Sequence, residues 1–169
     1  MTEPTKPAAD AADAVVRRAL APGRWEQVEV MPYKDAGQAP FRDISRQLLF
    51  AEADLAAELR YFEIDVGGYS TLERHHHRHA VLVLHGRGRC LVGDRIHDVA
   101  EHDLVSISAD TWHQFRADRG SALGFLCLVN RERDRPQLPD AADLATLRAD
   151  PAIAAFIRTA GTTEADRHD

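Results

Sequence analysis

From residue 42 to residue 129 the chain breaks into short runs, apolar or alternating, each closed by a turn signal. Runs of this length at roughly 8 to 12 residue spacing leave an all-β sandwich or barrel as the main solution. Strands are expected over 25–31, closed by Pro32, over 42–50, and over 58–66, closed by Gly67-Gly68. Residues 80–84 are fully apolar and read as a buried strand rather than a helix. Gly86 and Gly88 punctuate that run before 89–92 resumes it, and Gly93-Asp94 makes the next turn. Further strands are expected over 95–99, 104–108, 112–116 and 122–129.

The two ends read differently. Residues 1–24 are rich in Ala, Pro and Asp and read as a flexible N-terminal tail, with a short helix conceivable over 10–20. The β domain is expected over 25–135, and a helical extension and polar tail over 136–169. One helix should span 141–148. Asp150 and Pro151 are placed to cap and open a second over 152–158. Ile153, Phe156 and Ile157 share one face of it and should pack on the β domain or on a partner subunit.

Composition narrows the class. A chain of 169 residues suits one domain with a real core. A net charge of −6 argues against general nucleic-acid binding, which needs a basic face. No apolar run reaches the roughly 18 residues of a membrane span, and residues 1–21 lack the apolar stretch of a secretory signal. Cys90 and Cys127 lie in apolar strands and read as reduced, buried thiols. A cytoplasmic protein with neither nucleic-acid nor membrane partners fits these features.

The chemistry concentrates at residues 73–79, Glu-Arg-His-His-His-Arg-His, with His113 some thirty residues further on. Imidazole suits zinc, iron, copper and nickel. Residues two apart on a strand share a face and stand about 6.6 Å apart. His75 with His77, and His77 with His79, could therefore converge on one ion. His75 and His79 would lie about 13 Å apart on a straight strand, so all three converge only if the chain bends. His76 has the opposite parity. The parity of His79 continues through Val81, Val83 and His85, and His113 shares its parity with Phe115. Parity thus sets His85 and Phe115 on the interior wall; on an enzyme reading, a substrate pocket is expected from His85, Trp112, Phe115 and Arg116. The alternative for His85, His97 and His102 is an ordinary surface or hydrogen-bonded histidine.

These residues resemble a small single-domain cupin. The first cupin motif runs Gly, about five residues, His-x-His, about three or four residues, Glu, about six residues, Gly. Here Gly68 is followed by six residues and then His75-x-His77, and six residues before Gly86 stands His79, where the family carries Glu. The second motif is degenerate, but Trp112-His113-Gln114-Phe115 matches its end. The resemblance implies a cupin-type β-barrel, a jelly-roll or double-stranded β-helix, with short C-terminal helices. It implies one divalent metal ion (Fe, Mn, Ni or Zn) with open coordination positions, and a homodimer. Two ligand registers remain: His75, His77, His79 and His113, or Glu73, His75, His79 and His113, the first needing only imidazoles.

The function implied is a metal-dependent enzyme of oxygenase type, a dioxygenase, acting on a small organic molecule. The alternatives are a non-catalytic metal or small-molecule sensor and a non-redox isomerase. Fold alone does not choose among them.

Overall fold

The structure is a computed structural model, and it describes residues 16–159 other than 36 and 38. Among the described residues, ten strands precede two helices. A small pair, β1 (Ala19–Ala21) and β2 (Arg24–Trp25), stands apart from the main sheet. The main sheet contains β3 (Met31–Pro32), β4 (Arg42–Phe50), β5 (Ala57–Tyr69), β6 (His79–Val92), β7 (Arg95–Ala100), β8 (Leu104–Ile107), β9 (His113–Ala117) and β10 (Leu123–Asn130). Residues 10–15 and Gly161 onward, where a helix and a helix end are expected, lie outside the described residues. Within that expected helix, Ala19 and Leu20 belong to β1.

The sheet closes on itself. β5 pairs with β10 and β9, and β6 pairs with the same two strands, so β5, β10, β6 and β9 form a circuit. The first half of β6 also pairs with β8 and its second half with β7. Closure gives each of these four strands a neighbour on both sides, while β3 remains an edge. Side chains alternate on β10: Leu123, Phe125, Cys127 and Val129 are buried, while Leu128 is exposed. The inward set meets Val81, Val83, Phe62, Ile64 and Phe115 in one apolar core, where Phe125 stacks on Phe62 and Phe115 at 5.5 and 4.9 Å.

Three expected boundaries differ. The strand over 25–31 is interrupted, because Gln27 takes a positive φ of 58° and only Met31–Pro32 joins β4. Pro32 lies within that edge strand rather than closing it; an edge position tolerates the missing N–H. Gly67-Gly68 does not end β5, which continues to Tyr69; Gly67, at φ 69°, sits in an irregularity that shifts the β4–β5 register between Arg42 and Ile44. Gly86 and Gly88 likewise fall inside β6, which runs unbroken through them.

The helices are α1 (Ala141–Leu147) and α2 (Pro151–Phe156). Asp140 and Asp143 form a reciprocal capping box on α1, and Asp150 caps α2 with Pro151 in its first turn. Leu147, Ile153, Phe156 and Ile157 pack against Leu72 and Leu91 in a second cluster outside the barrel interior. The face expected on α2 is thus buried against the β domain.

Candidate functional site

A cavity of about 410 Å³ opens into the barrel. His75, His77, His79 and His113 line one part of it, with Phe62, Val81, Phe115 and Phe125 as apolar wall. The chain bends as convergence requires. His79 and His113 begin β6 and β9, but His75 and His77 lie in the connection before β6. That connection is pinned by an isolated bridge between Glu73 and His113 and by a hydrogen bond from the Asp110 N–H to the His75 carbonyl, 2.8 Å. The 13 Å separation of a straight strand collapses. The His75 ring stacks on His79 with centroids 4.3 Å apart and lies 4.9 Å from that of His113.

One nitrogen of His75, one of His79 and one of His113 lie within 4.8 Å of one another. The hydrogen bonds say which nitrogens these can be. His75 Nδ1 donates to the His77 carbonyl and His113 Nδ1 to the Thr111 carbonyl, each at 2.9 Å. A carbonyl only accepts, so both protons sit on Nδ1 and both Nε2 atoms carry a free lone pair. His79 Nδ1 lies 3.5 Å from the Cys127 thiol. The Nε2 atoms of His75 and His79 are buried without a hydrogen-bond partner. A buried polar atom left unpaired is costly, and a divalent cation is a partner that two such lone pairs fit.

Electrostatics agrees with neutral rings. Burial, followed by the neighbouring His113 and His77, lowers the His75 pKa from 6.5 to about 4. Burial also lowers His79, with His113 and His75 adding to it, and lowers buried His113. Neutral imidazole is the form that ligates metal.

His77 and Glu73 part company here. The His77 ring lies flat on His75, centroids 3.6 Å apart, and its Nδ1 donates to Asp134 at 2.7 Å. Asp134 also accepts the backbone N–H groups of His76 and His77. Glu73 is engaged by Lys34 in an ion pair. Neither His77 nor Glu73 joins the group of three converging nitrogens. His76 is exposed and pairs with Asp110 at 2.6 Å, as its parity implies.

Of the expected pocket residues only Phe115 lines the cavity. His85 does not: the β6–β10 register shifts between Gly124 and Phe125, so parity counted from His79 breaks before residue 85. His85 Nε2 instead bonds Tyr61 at 2.8 Å and Glu63 at 3.1 Å. Trp112 packs against the helical cluster with Arg74 over its ring, since it precedes His113 and takes the opposite face. Arg116 also points outward, donating to the Phe156 carbonyl at 2.7 Å. Sequence reasoning missed Tyr33, Lys34, Arg60, Cys127 and Asp134, which do line the cavity. Arg60 was findable, for it shares parity with Phe62 and Ile64. Cys127 shares its parity with Phe125 and Val129.

Residues 60–129 match the cupin domain family. The chain is 58% identical over 134 residues to 1-methylthio-D-xylulose 5-phosphate methylsulfurylase of Rhodospirillum rubrum, covering 79% of this chain and 86% of that protein. The chain belongs to the cupin family. A crystal structure of a cupin 2 conserved barrel domain protein from Rhodopseudomonas palustris superposes with a TM-score of 0.82 at 65% identity, covering 86% of this cupin and all (100%) of that chain. A cupin 2 domain-containing protein from Halorhodospira halophila gives 0.67 at 40% identity, covering 88% and 100%. In this cupin, position 79 carries an imidazole where the family motif carries a carboxylate.

Proposed function

We propose that this cupin is a metal-dependent enzyme acting at the carbon–sulfur bond of a methylthio-substituted pentulose phosphate, of the 1-methylthio-D-xylulose 5-phosphate type. It holds one divalent ion through His75, His79 and His113, with His77 as a fourth ligand. The observation that carries the metal reading is the pair of buried, unpartnered Nε2 atoms of His75 and His79, two of the three histidines whose nitrogens converge. The substrate class is supported by similarity to the R. rubrum methylsulfurylase over most of both chains. That similarity ranks sulfur chemistry ahead of the oxygenase chemistry suggested by the wider family.

A divalent ion bound here would act as a Lewis acid, stabilising negative charge on a substrate oxygen. The chain's own residues supply the rest. Phe62, Phe115 and Phe125 exclude water from the reacting end of the cavity. Burial, reinforced by Glu73, raises the Tyr33 pKa well above 10.0, so its phenol stays protonated. Asp134 and the carbonyls of His77 and Thr111 hold three of the rings in one tautomer.

Purified protein should carry about one metal ion per chain and consume 1-methylthio-D-xylulose 5-phosphate, losing activity on chelation. His113→Ala should lose both metal and turnover. A metal-loaded protein that leaves this substrate untouched would make the cupin a binding module instead. We place the enzyme in the cytoplasm, in keeping with two free, buried cysteines. We also take it as a homodimer. Phe50 and Leu128 are exposed and flank Leu59 across three paired strands, an apolar strip suited to a second copy. Sedimentation should give about twice the mass of the 18.8 kDa chain.

A further inference from the structure

Three guanidinium groups line the same cavity: Arg46 on β4, Arg60 on β5 and Arg133 after β10. Their acidic partners do not balance them. Arg133 pairs with Glu58 at 2.6 Å. Among the described residues, neither Arg46 nor Arg60 has a carboxylate within ion-pair distance. Arg46 Nε donates only to the Pro32 carbonyl, at 3.1 Å. Arg60 is the more constrained. It faces the barrel interior beside Cys127, its guanidinium lies 5.5 Å from the Phe62 ring, and its Nε is buried with no hydrogen-bond partner. Burial lowers the Arg60 pKa; the neighbouring Arg133 and Arg46 lower it further, while Cys127 and Glu58 oppose the fall only in part.

A guanidinium inside a barrel with no carboxylate in ion-pair contact and a buried Nε left over, sharing its cavity with two others, is an unfavourable arrangement unless an anion joins it. The fork of Arg matches the geometry of phosphate, to which it donates two parallel hydrogen bonds. We propose that Arg60, assisted by Arg46 and Arg133, is the phosphate-binding wall of this cavity and selects a sugar phosphomonoester over the free sugar. The proposal deepens the reading above and rests on it for the identity of the sugar. Imidazoles for the reacting carbons and guanidiniums for the phosphate then line one cavity, and Cys127 stands beside both His79 and Arg60.

The test uses the metal-loaded full chain and calorimetric binding of D-xylulose 5-phosphate, D-xylulose and inorganic phosphate, read apart from turnover. Wild type should bind the phosphate ester at least tenfold more tightly than the free sugar, and inorganic phosphate should compete. Arg60→Gln should erase that preference while keeping the metal, and Arg60→Lys should restore part of it. Arg46→Gln, at the half-exposed rim, should weaken the ester several-fold and serves if Arg60→Gln fails to fold. A preference that survives in Arg60→Gln, or in Arg46→Gln where Arg60→Gln is unfolded, overturns the proposal. So does a wild type indifferent to the phosphate. If the preference is present and Arg60-dependent but the methylthio ester is not consumed, the phosphate site stands and the methylsulfurylase reading falls.

Discussion

Asp134 holds His77 twice, by its ring nitrogen and by its backbone N–H. A carboxylate on Nδ1 fixes the tautomer and leaves Nε2 a free lone pair, a support whose loss costs roughly 10–100-fold in metal affinity at other sites. Asp134→Ala should weaken metal retention by at least tenfold in chelator competition while leaving the fold intact. Unchanged retention would show that His77 is a bystander to the ion. Spacing marked the cluster, because four of the nine histidines crowd into residues 75–79 beside an apolar strand, and the cupin resemblance made His75, His79 and His113 common to both ligand registers. Asp134 was beyond reach. It sits in a charged stretch, Arg131-Glu132-Arg133-Asp134-Arg135, where nothing local distinguishes one acid from another.

The cysteines make a second test at this scale. Burial raises the thiol pKa from 9.0 to about 12 at Cys90, and to about 11 at Cys127, where Arg60 opposes the rise. Native thiols therefore stay protonated at pH 8 and are poor nucleophiles. Iodoacetamide should label neither quickly in the native protein and both after denaturation; fast native labelling would contradict the burial. The sign for stability follows. Below pH 9 both states keep their protons and stability is unaffected. As pH rises from 9 toward 11 and 12 the unfolded thiols ionise first, so stability falls across that window.

At the scale of the strand, one register shift between β6 and β10 moves His85 out of the interior. Its new place is tight. A Cβ on Gly124 would fall 2.2 Å from both His85 Nε2 and the Tyr61 hydroxyl. Gly124→Ala should therefore destabilise the protein by about 1–3 kcal/mol through overpacking, read as a lower denaturation midpoint. His85→Ala should leave metal content unchanged, since the ring faces Tyr61 and Glu63 rather than the cavity. Loss of metal in that variant would restore the uninterrupted parity. Period-two reasoning found the inward face at the start of β6, because one side of it is buried. It failed where an extra residue in one strand reversed the faces, and no composition signal marks such a bulge in advance.

For the molecule as a whole, the closed barrel was legible from turn spacing, and the positions of both helices from Asp and Pro at their starts. How tightly the helical end is joined to the barrel was not, because the joint is made by residues far apart in sequence. Gln114, next to His113 and fully buried, donates to the carbonyls of Ser70 and Arg158 and accepts the Arg158 N–H at 2.8 Å. Phe156, 2% exposed, lies under Arg89 and Arg116 and packs with Leu72 and Leu91. Leu72 and Gln114 each stand one residue from Glu73 or His113, the bridge that pins the site. The helices should therefore unfold with the barrel. Phe156→Ala should cost about 3–5 kcal/mol and lower the midpoint of one shared calorimetric transition by roughly 10 °C. It should also speed metal loss to a chelator, because loosening this cluster loosens the Glu73–His113 bridge. Two separated transitions, or a destabilised variant that keeps its metal as firmly as wild type, would mean that the helical end is packed on the barrel without supporting the site.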